Sequence, residues 1–301
     1  MTSPTRHRGI VVPMSTPFNA AGILDEAAVA RMVARLAEHH LGVFVLGTTG
    51  EAPSIPMAQR ERLVALAVQT AAGRVPVYGG IGSDCVADSI SMARAYLRLG
   101  ADAVVSLLPG YYLLNSAEMQ ACFERIAGET PGPVLLYNIP QTTRMSIPLD
   151  VIDRLSVRNN IVGLKDSEGT PGRLEAIVER FKGRPDFSIF MGVAKNIVAA
   201  LRAGFDGGVP SSGNIAPAQW RELYAHTLAG EWAQAEALHS RLDAIGEIVQ
   251  RDRSLPQSLA ALKAAVAAQG LCTPTVLSPL RTLDAAECEA IRQTVAAAGL
   301  L

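Results

Sequence analysis

Lysine is scarce in this chain of 301 residues. It occurs only at positions 165, 182, 195 and 263, so arginine supplies the other 23 of the 27 basic residues (27 minus 4). With 28 acidic residues, the formal net charge is −1. So small a net charge creates no general field that would attract nucleic acid or an anionic membrane surface. Partners of those two kinds are therefore not expected.

Other signals are missing as well. The four cysteines show no CxxC spacing, and a chain of this length does not need disulfide bonds for stability. The only close histidine pair, His39 and His40, consists of neighbours that point to different sides of a helix, so no metal site is expected. The first eight residues lack the apolar segment of a signal peptide, and no apolar run is long enough to span a bilayer. These absences predict a soluble, cytoplasmic protein with reduced thiols.

Short apolar runs alternate with longer amphipathic segments eight times within roughly the first 230 residues. Eight strand–helix units favour a closed (β/α)8 barrel, which needs about 200 residues or more. An open doubly wound sheet is the alternative, but the first turn has no GxGxxG. We therefore predict an α/β fold of the TIM-barrel type over residues 1–230. Its helices are expected to begin near Asp25 and to span about 57–72, 84–99, 116–128, 171–181, 194–203 and 218–228, with the fifth shortened by Pro148.

The chain after residue 230 contains no further strand pattern. Residues 231–250, 256–269 and 284–298 are rich in alanine and leucine at helical spacing, with prolines between them. We predict a small C-terminal helical domain over residues 231–301. It carries no motif of its own, which favours a structural role.

Lys165 ends the sixth apolar run, residues 161–165. Barrels of this kind place their active sites at the carboxyl ends of the strands. A lysine in an apolar pocket is penalised in its charged form, and its free amine can attack a carbonyl to form a Schiff base. The alternative is a structural lysine whose head pairs with Asp166 or another carboxylate. Lys182 follows a predicted helix and Lys263 lies within one, so both are expected to be solvated.

Polar groups end three other predicted strands. The second ends in residues 47–51 (GTTGE), where Thr48 and Thr49 could hold a small carboxylate; a loop that merely requires glycine is the alternative. The fifth ends in Tyr137, whose phenol could transfer protons beside an amine or could be a core tyrosine. Tyr112 forms a pair with Tyr111 after the fourth strand, and exposed paired aromatics are more typical of interfaces.

Three of these blocks resemble a known family. Residues 47–51 (GTTGE), 137–140 (YNIP) and 163–167 (GLKDS) are similar in order and spacing to the signature blocks of the dihydrodipicolinate synthase/N-acetylneuraminate lyase family. The resemblance covers nearly the whole chain. It implies a pyruvate-type class I aldolase, lyase or dehydratase on a (β/α)8 barrel. Such enzymes are usually homotetramers, arranged as dimers of dimers, and need no metal or organic cofactor.

The resemblance also implies residue roles. Lys165 would form the Schiff base with a 2-oxo acid, and Tyr137 would be the proton shuttle. Thr48 and Thr49 would bind the carboxylate, with Thr49 also relaying protons. Tyr112 matches a tyrosine that the family often passes across its tight dimer interface and that is counted among the catalytic residues.

Departures from the family pattern narrow the substrate. The synthase of lysine biosynthesis usually has an arginine two residues after the proline of the tyrosine block, where this chain has Thr142 and only later Arg144. A hydroxyl cannot replace a guanidinium that binds a carboxylate through two hydrogen bonds. The sialic acid lyases usually have an acidic pair where this chain has residues 192–195 (GVAK). The sugar-acid branch, which cleaves or dehydrates 2-keto-3-deoxy acids, fits better.

Further residues would contact the substrate. Val209 matches a backbone contact that the family makes to the reacting group, and in the sugar-acid branch Ser167 and Ser211 would bind hydroxyls. Lys195 could attract a distal anionic group, or it could be a solvated lysine that starts a helix. We therefore expect a Schiff-base lyase acting on a 2-keto acid, with pyruvate as product or co-substrate. The alternatives are the synthase of lysine biosynthesis, with Arg144 or another group replacing the missing arginine, and a non-catalytic barrel that binds a keto acid.

Overall fold

A computed structural model of the chain describes residues 7–301. Its strands form a closed barrel in which neighbours follow one another in chain order. This confirms the predicted (β/α)8 class and excludes the doubly wound sheet. The strands are β1 (Gly9–Pro13), β2 (Gly42–Val45), β3 (Val77–Gly80), β4 (Ala103–Leu107), β5 (Val134–Asn138), β6 (Ile161–Asp166), β7 (Ser188–Met191) and β8 (Gly207–Gly208).

Helices follow the strands, and the last three form the C-terminal part. They are α1 (Glu26–Glu38), α2 (Met57–Ala71), α3 (Val86–Arg98), α4 (Ser116–Glu129), α5 (Pro140–Thr143), α6 (Leu149–Leu155), α7 (Arg173–Phe181), α8 (Ile197–Ala203), α9 (Pro217–Ala229), α10 (Trp232–Gln250), α11 (Leu255–Ala268) and α12 (Ala285–Ala297). Within residues 7–301, none of these helices combines the length and the apolar character needed to cross a membrane.

Local signals explain where two of the helices begin. Asp25 caps α1, and its side chain accepts a hydrogen bond from the Ala28 amide, as expected for an N-terminal aspartate. The fifth unit differs from the single shortened helix that we predicted, because it contains two short helices, α5 and α6. Pro148 immediately precedes α6, where its fixed φ suits the entry into a helix.

The described residues group into two compact units. The first runs to Val11 and resumes at Tyr78–Pro210; it contains β4 to β8 and α3 to α8. The second comprises Val12–Val77 and Ser211–Leu301, and it contains β2, α1, α2 and α9 to α12. This grouping does not test the boundary predicted near residue 230, which stays a prediction.

The barrel closes on a seam of glycines. β1 pairs with β8 through Gly9 opposite Gly207 and Ile10 opposite Gly208. A Cβ at Gly207 would collide with the carbonyl oxygen of Gly9 and with the ring of Phe190. Glycine at 207 is therefore required for the two strands to approach closely enough to pair.

The prediction for Lys263 is wrong. Its side chain is completely buried and forms an ion pair with Glu51 at 2.6 Å between Nζ and Oε1. A charged side chain is buried only when a partner compensates for its lost hydration. That partner lies 212 positions away in sequence, so the helical pattern around Lys263 could not reveal it. Lys182 is exposed, as predicted.

His7 is expected to make folding stability depend on pH. Its Nδ1 lies 2.9 Å from the Tyr78 hydroxyl, and burial lowers the pKa of His7 below the usual 6.5, opposed by the charge of Asp102. The unfolded chain then binds a proton more readily than the folded chain, so stability is lost as pH falls below 6.5. We expect His7→Gln to reduce the slope of the free energy of unfolding against pH, by at most about 1.4 kcal/mol per pH unit. Chemical denaturation at several values between about pH 5 and 7.5 measures this slope.

The matched control for this prediction is His40→Asn. His40 is exposed and has a positive φ, which asparagine tolerates. An unchanged pH slope in His7→Gln, or an equal change in both variants, would contradict the assignment to His7.

Candidate active site

Lys165 and Tyr137 lie side by side on neighbouring strands. The register of β5 and β6 pairs the two residues directly. Lys165 is 6% exposed and Tyr137 4% exposed, and the lysine Nζ lies 3.8 Å from the centre of the tyrosine ring. The structure therefore brings together the amine and the phenol that the sequence placed at adjacent strand ends. The buried amine lies over the face of the ring, where a cation is also stabilised by the ring electrons.

Asp166, the residue after Lys165, directs its carboxylate to other partners. Arg173 donates two hydrogen bonds to Oδ2, from Nε at 2.9 Å and Nη2 at 2.8 Å, and Asn138 donates a third at 2.9 Å. Burial raises the pKa of Asp166, and these donors act against that shift. Successive side chains of a strand also point to opposite faces. This arrangement favours a role for Lys165 other than pairing with Asp166.

A polar network extends from Asp166 around the ends of β5 and β6. Asn138 also donates to Glu168 at 2.9 Å, and its own Oδ1 accepts the amide of Ile147 at 3.0 Å. Burial alone would raise the pKa of Glu168, but hydrogen bonds from Ser146, Asn138 and Thr170, together with Arg173, lower it below its usual value. The network fixes the residues that directly follow Tyr137 and Lys165.

We did not predict this network. The available signal was positional, because Asn138 and Asp166 each follow a candidate catalytic residue at a strand end. Arg173 gave no such signal, since it lies on a helix seven residues further on.

Thr48 and Thr49 lie three and four residues after the end of β2 and are half-buried. Their turn is tight: the Gly50 amide donates to Gly47 O and the Glu51 amide donates to Thr48 O, both at 3.1 Å. The Gly50 carbonyl in turn accepts the hydroxyl of Thr16 at 2.7 Å. Backbone amides and hydroxyls in a turn of this kind can bind a small anion.

Two of the other predicted contact residues lie at the ends of β6 and β8, the two strands that flank β7. Ser167 is half-buried, and a Cβ at Gly192, after β7, would collide with its hydroxyl. Val209 is buried, and its amide donates to Met191 O at 2.8 Å, so a backbone contact with a substrate would use the Val209 carbonyl. Ser211 begins a short 3-10 turn and accepts a long hydrogen bond from Gln250 at 3.5 Å.

Tyr112 lies in an exposed loop after β4. Tyr111 and Tyr112 are 72% and 70% exposed, and their rings meet edge to face with centroids 5.0 Å apart. Asp84 accepts the amides of Gly110 and Tyr111, and Arg144 donates to both of their carbonyl oxygens. Arg144 therefore orders this loop. The distal candidate Lys195 is exposed on a 3-10 turn.

Known proteins resemble this chain over its length. A sequence profile of the dihydrodipicolinate synthetase family matches residues 6–298. The 4-hydroxy-tetrahydrodipicolinate synthase of Halorhodospira halophila is 30% identical and aligns over 100% of both chains. The probable 2-dehydro-3-deoxy-D-pentonate aldolase YjhH of Escherichia coli is 33% identical over 78% of this chain and 79% of its own.

The fold has solved counterparts as well. YagE, a prophage protein of the dihydrodipicolinic acid synthase family from Escherichia coli K12 crystallised with pyruvate, superposes with a TM-score of 0.91. It is 28% identical, and the match covers 98% of this chain and 99% of YagE. With a closed barrel and a family match across nearly its whole length, this chain is a lyase that belongs to the dihydrodipicolinate synthetase family.

Proposed function

We propose that this protein forms a Schiff base between Lys165 and a 2-keto acid, and that it cleaves or dehydrates 2-keto-3-deoxy sugar acids. The observation that carries the proposal is the buried Lys165 amine, 3.8 Å from the ring centre of Tyr137 on the adjacent strand. A lysine needs such a water-poor site to act as a nucleophile toward a ketone. YagE, the structural relative, was crystallised with pyruvate.

The chemistry follows from the imine. The Lys165 nitrogen attacks the C2 carbonyl carbon, and the resulting carbinolamine loses water to give a protonated imine. This imine withdraws electrons, so the bond between C3 and C4 can break while its electron pair moves toward nitrogen as an enamine; the C4 hydroxyl loses its proton and C4 leaves as an aldehyde carbonyl. Protonation of the enamine at C3 and hydrolysis of the imine then release pyruvate and the free Lys165 amine. In a dehydration, a proton leaves C3 and hydroxide leaves C4. Tyr137 is proposed to carry the protons that these steps release and consume.

The remaining site residues keep the roles that the family resemblance implies. Thr48 and Thr49 are proposed to bind the substrate carboxylate, with Thr49 also relaying protons. Ser167 and Ser211 are proposed to bind hydroxyls of the substrate tail, and Val209 to contact the reacting group through its backbone.

Three observations support a sugar acid over aspartate semialdehyde. Thr142 occupies the position of the synthase arginine, and a hydroxyl cannot bind a carboxylate through two charged hydrogen bonds. Arg144, the nearest substitute, donates from Nη2 to Gly110 O at 2.8 Å and Tyr111 O at 3.2 Å. The relative YjhH is named as a probable aldolase of a 2-dehydro-3-deoxy acid.

The second candidate is 4-hydroxy-tetrahydrodipicolinate synthase. It is favoured by the names of relatives such as the Halorhodospira halophila enzyme, at 30% identity over full length. The separating assay compares condensation of pyruvate with aspartate semialdehyde against pyruvate release from a panel of 2-keto-3-deoxy sugar acids. A physiological rate of condensation with aspartate semialdehyde, without pyruvate release from any of the sugar acids, would overturn the proposed substrate class.

The proposal is tested first by trapping. Borohydride reduction in the presence of pyruvate should leave a stable adduct on the peptide that contains Lys165, identified by mass mapping. Tight keto-acid binding without an adduct or turnover would instead support a non-catalytic binding barrel.

The protein is proposed to assemble as a cytoplasmic homotetramer with Tyr112 at its tight dimer interface. Light scattering of wild type and of Tyr112→Ala tests this assembly.

Lys195 supports a prediction about the substrate tail. If its exposed ammonium attracts a distal anionic group, Lys195→Ala should raise KM for dicarboxylic substrates and leave KM for neutral-tailed ones unchanged. Steady-state kinetics on one substrate of each kind measures this. Equal changes for both substrates would contradict the prediction.

A further inference from the structure

A charged pair lies completely buried behind the Thr48–Thr49 turn. Glu51 is 2% exposed and Lys263, on α11, is 0% exposed, and Lys263 Nζ donates to Glu51 Oε1 at 2.6 Å. The second carboxylate oxygen of Glu51 accepts the amide of Leu277 at 2.9 Å. Both partners of the Glu51 carboxylate, Lys263 and Leu277, come from the C-terminal part of the chain, to which we had assigned no motif.

All three N–H donors of the Lys263 ammonium have hydrogen-bond acceptors. Its three hydrogens meet three acceptors, namely Glu51 Oε1, the carbonyl oxygen of Thr16, and the carbonyl oxygen of Thr275 at 3.2 Å. The ring of Phe18 lies under it, with Nζ 4.8 Å from the ring centre. A buried ion pair contributes little net stability compared with apolar residues of the same shape, so its presence calls for another explanation.

The geometry of Glu51 supplies that explanation. Its backbone has φ 59° and ψ 29°, a left-handed conformation that is unusual for a residue with a side chain. In this conformation the Glu51 amide donates to Thr48 O at 3.1 Å and so closes the turn. The side chain held by Lys263 and Leu277 thus keeps the backbone of Glu51 where it shapes the turn.

The turn is tied to Lys263 by a second route. The carbonyl oxygen of Thr16 accepts a hydrogen bond from Lys263 Nζ, and the hydroxyl of Thr16 donates to Gly50 O at 2.7 Å. The ammonium on α11 therefore anchors the turn directly through Glu51 and indirectly through Thr16. The first route reaches Glu51, whose amide binds Thr48 O, and the second reaches Gly50, the residue after Thr49. Neither route reaches the threonine side chains themselves.

We propose that the Glu51–Lys263 pair positions the Thr48–Thr49 turn for binding the substrate carboxylate, which makes Lys263 a positioning residue contributed by the C-terminal helices. The inference rests on the proposed carboxylate-binding role of the two threonines. It assigns the C-terminal segment a part in substrate recognition as well as in folding. Loss of the pair should weaken ground-state binding of pyruvate more than it slows the chemical step.

The test compares Lys263→Met with Leu262→Ala. Leu262 lies next to Lys263 on α11 and is also buried, so its truncation destabilises the same helix without touching the pair. The pyruvate concentration that gives half-maximal borohydride trapping, here called the half-saturation concentration, is measured for both variants well below their unfolding temperatures. We expect this concentration to rise about tenfold or more in Lys263→Met and not to rise in Leu262→Ala. The kcat of Lys263→Met on the best substrate should fall by a smaller factor.

A milder variant keeps the test usable if Lys263→Met does not fold. Glu51→Gln has almost the same shape, keeps an acceptor for the Leu277 amide, and removes the charge that holds Lys263. It should raise the half-saturation concentration in the same direction. The double variant Glu51→Gln/Lys263→Met should recover thermal stability relative to Lys263→Met while its half-saturation concentration stays raised.

The outcomes separate this inference from the proposed function. If wild type gives no adduct at any pyruvate concentration, the proposed function fails. If wild type is trapped at Lys165, and the half-saturation concentration in Lys263→Met and Glu51→Gln matches that of wild type or of Leu262→Ala, the positioning role alone is overturned.

Discussion

Replacing Lys165 by arginine is expected to abolish borohydride trapping of pyruvate and to lower turnover by at least about 1,000-fold. A guanidinium stays protonated at any pH that the fold tolerates, so it has no free electron pair with which to attack the ketone. Without the imine, nothing else proposed for the site can accept the electrons released when the carbon–carbon bond breaks. Mass mapping after reduction, together with single-turnover assays on 2-keto-3-deoxy acids, measures both effects.

Lys182→Arg is the matched control for this result. Lys182 is exposed just after α7, and its replacement should leave trapping and turnover unchanged. Lys165→Met guards against misfolding caused by the larger arginine, and circular dichroism monitors the fold of each variant. An adduct that persists in Lys165→Arg or Lys165→Met would assign the Schiff base to another amine and refute the proposed mechanism.

Arg173→Met should lower the free energy of unfolding by about 3–5 kcal/mol. The side chain of Arg173 is 10% exposed and donates twice to Asp166, whose side chain is 1% exposed. Removing the guanidinium leaves a buried carboxylate without its cation. Denaturant unfolding at pH 7 measures the loss. Because Asn138 and Asp166 follow Tyr137 and Lys165, we also expect slower trapping of pyruvate.

Arg180→Met provides the comparison on the same helix. Arg180 also binds two aspartates, Asp150 and Asp153, but these two ion pairs lie at the surface and should contribute little to stability. The defect of Arg173→Met should shrink in acid, because a protonated Asp166 carries no charge that burial would penalise. Equal losses in both variants, or a defect that grows as pH falls, would contradict the role assigned to Arg173.

Much of the barrel could be predicted because the signals are local. Strand–helix alternation reports burial over a few residues, and caps such as Asp25 mark where a helix begins. Lys165 and Tyr137 could be singled out for the same reason, since each ends an apolar run. Their pairing across β5 and β6 then follows from barrel order.

The misses share a different cause. Lys263 and Arg173 are helical cations, and a helical cation is normally solvated unless a distant carboxylate meets it. The partner of Lys263 lies 212 positions away, and the partner of Arg173 lies on the strand before its helix. Neither ion pair changes the spacing of apolar residues. That spacing indicates which face of a helix is buried, but it does not identify the partner of a charged side chain on that face.

The glycine seam between β1 and β8 sets an order of events during synthesis. β1 leaves the ribosome about 200 residues before Gly207 and Gly208 do, which at about 5–20 residues per second is roughly 10–40 s. For that interval one edge of the first strand has unsatisfied amide and carbonyl groups, a state in which strands pair with the wrong chain. Until β8 arrives, the open edge of β1 is therefore a place where a nascent chain of this protein can pair wrongly and aggregate.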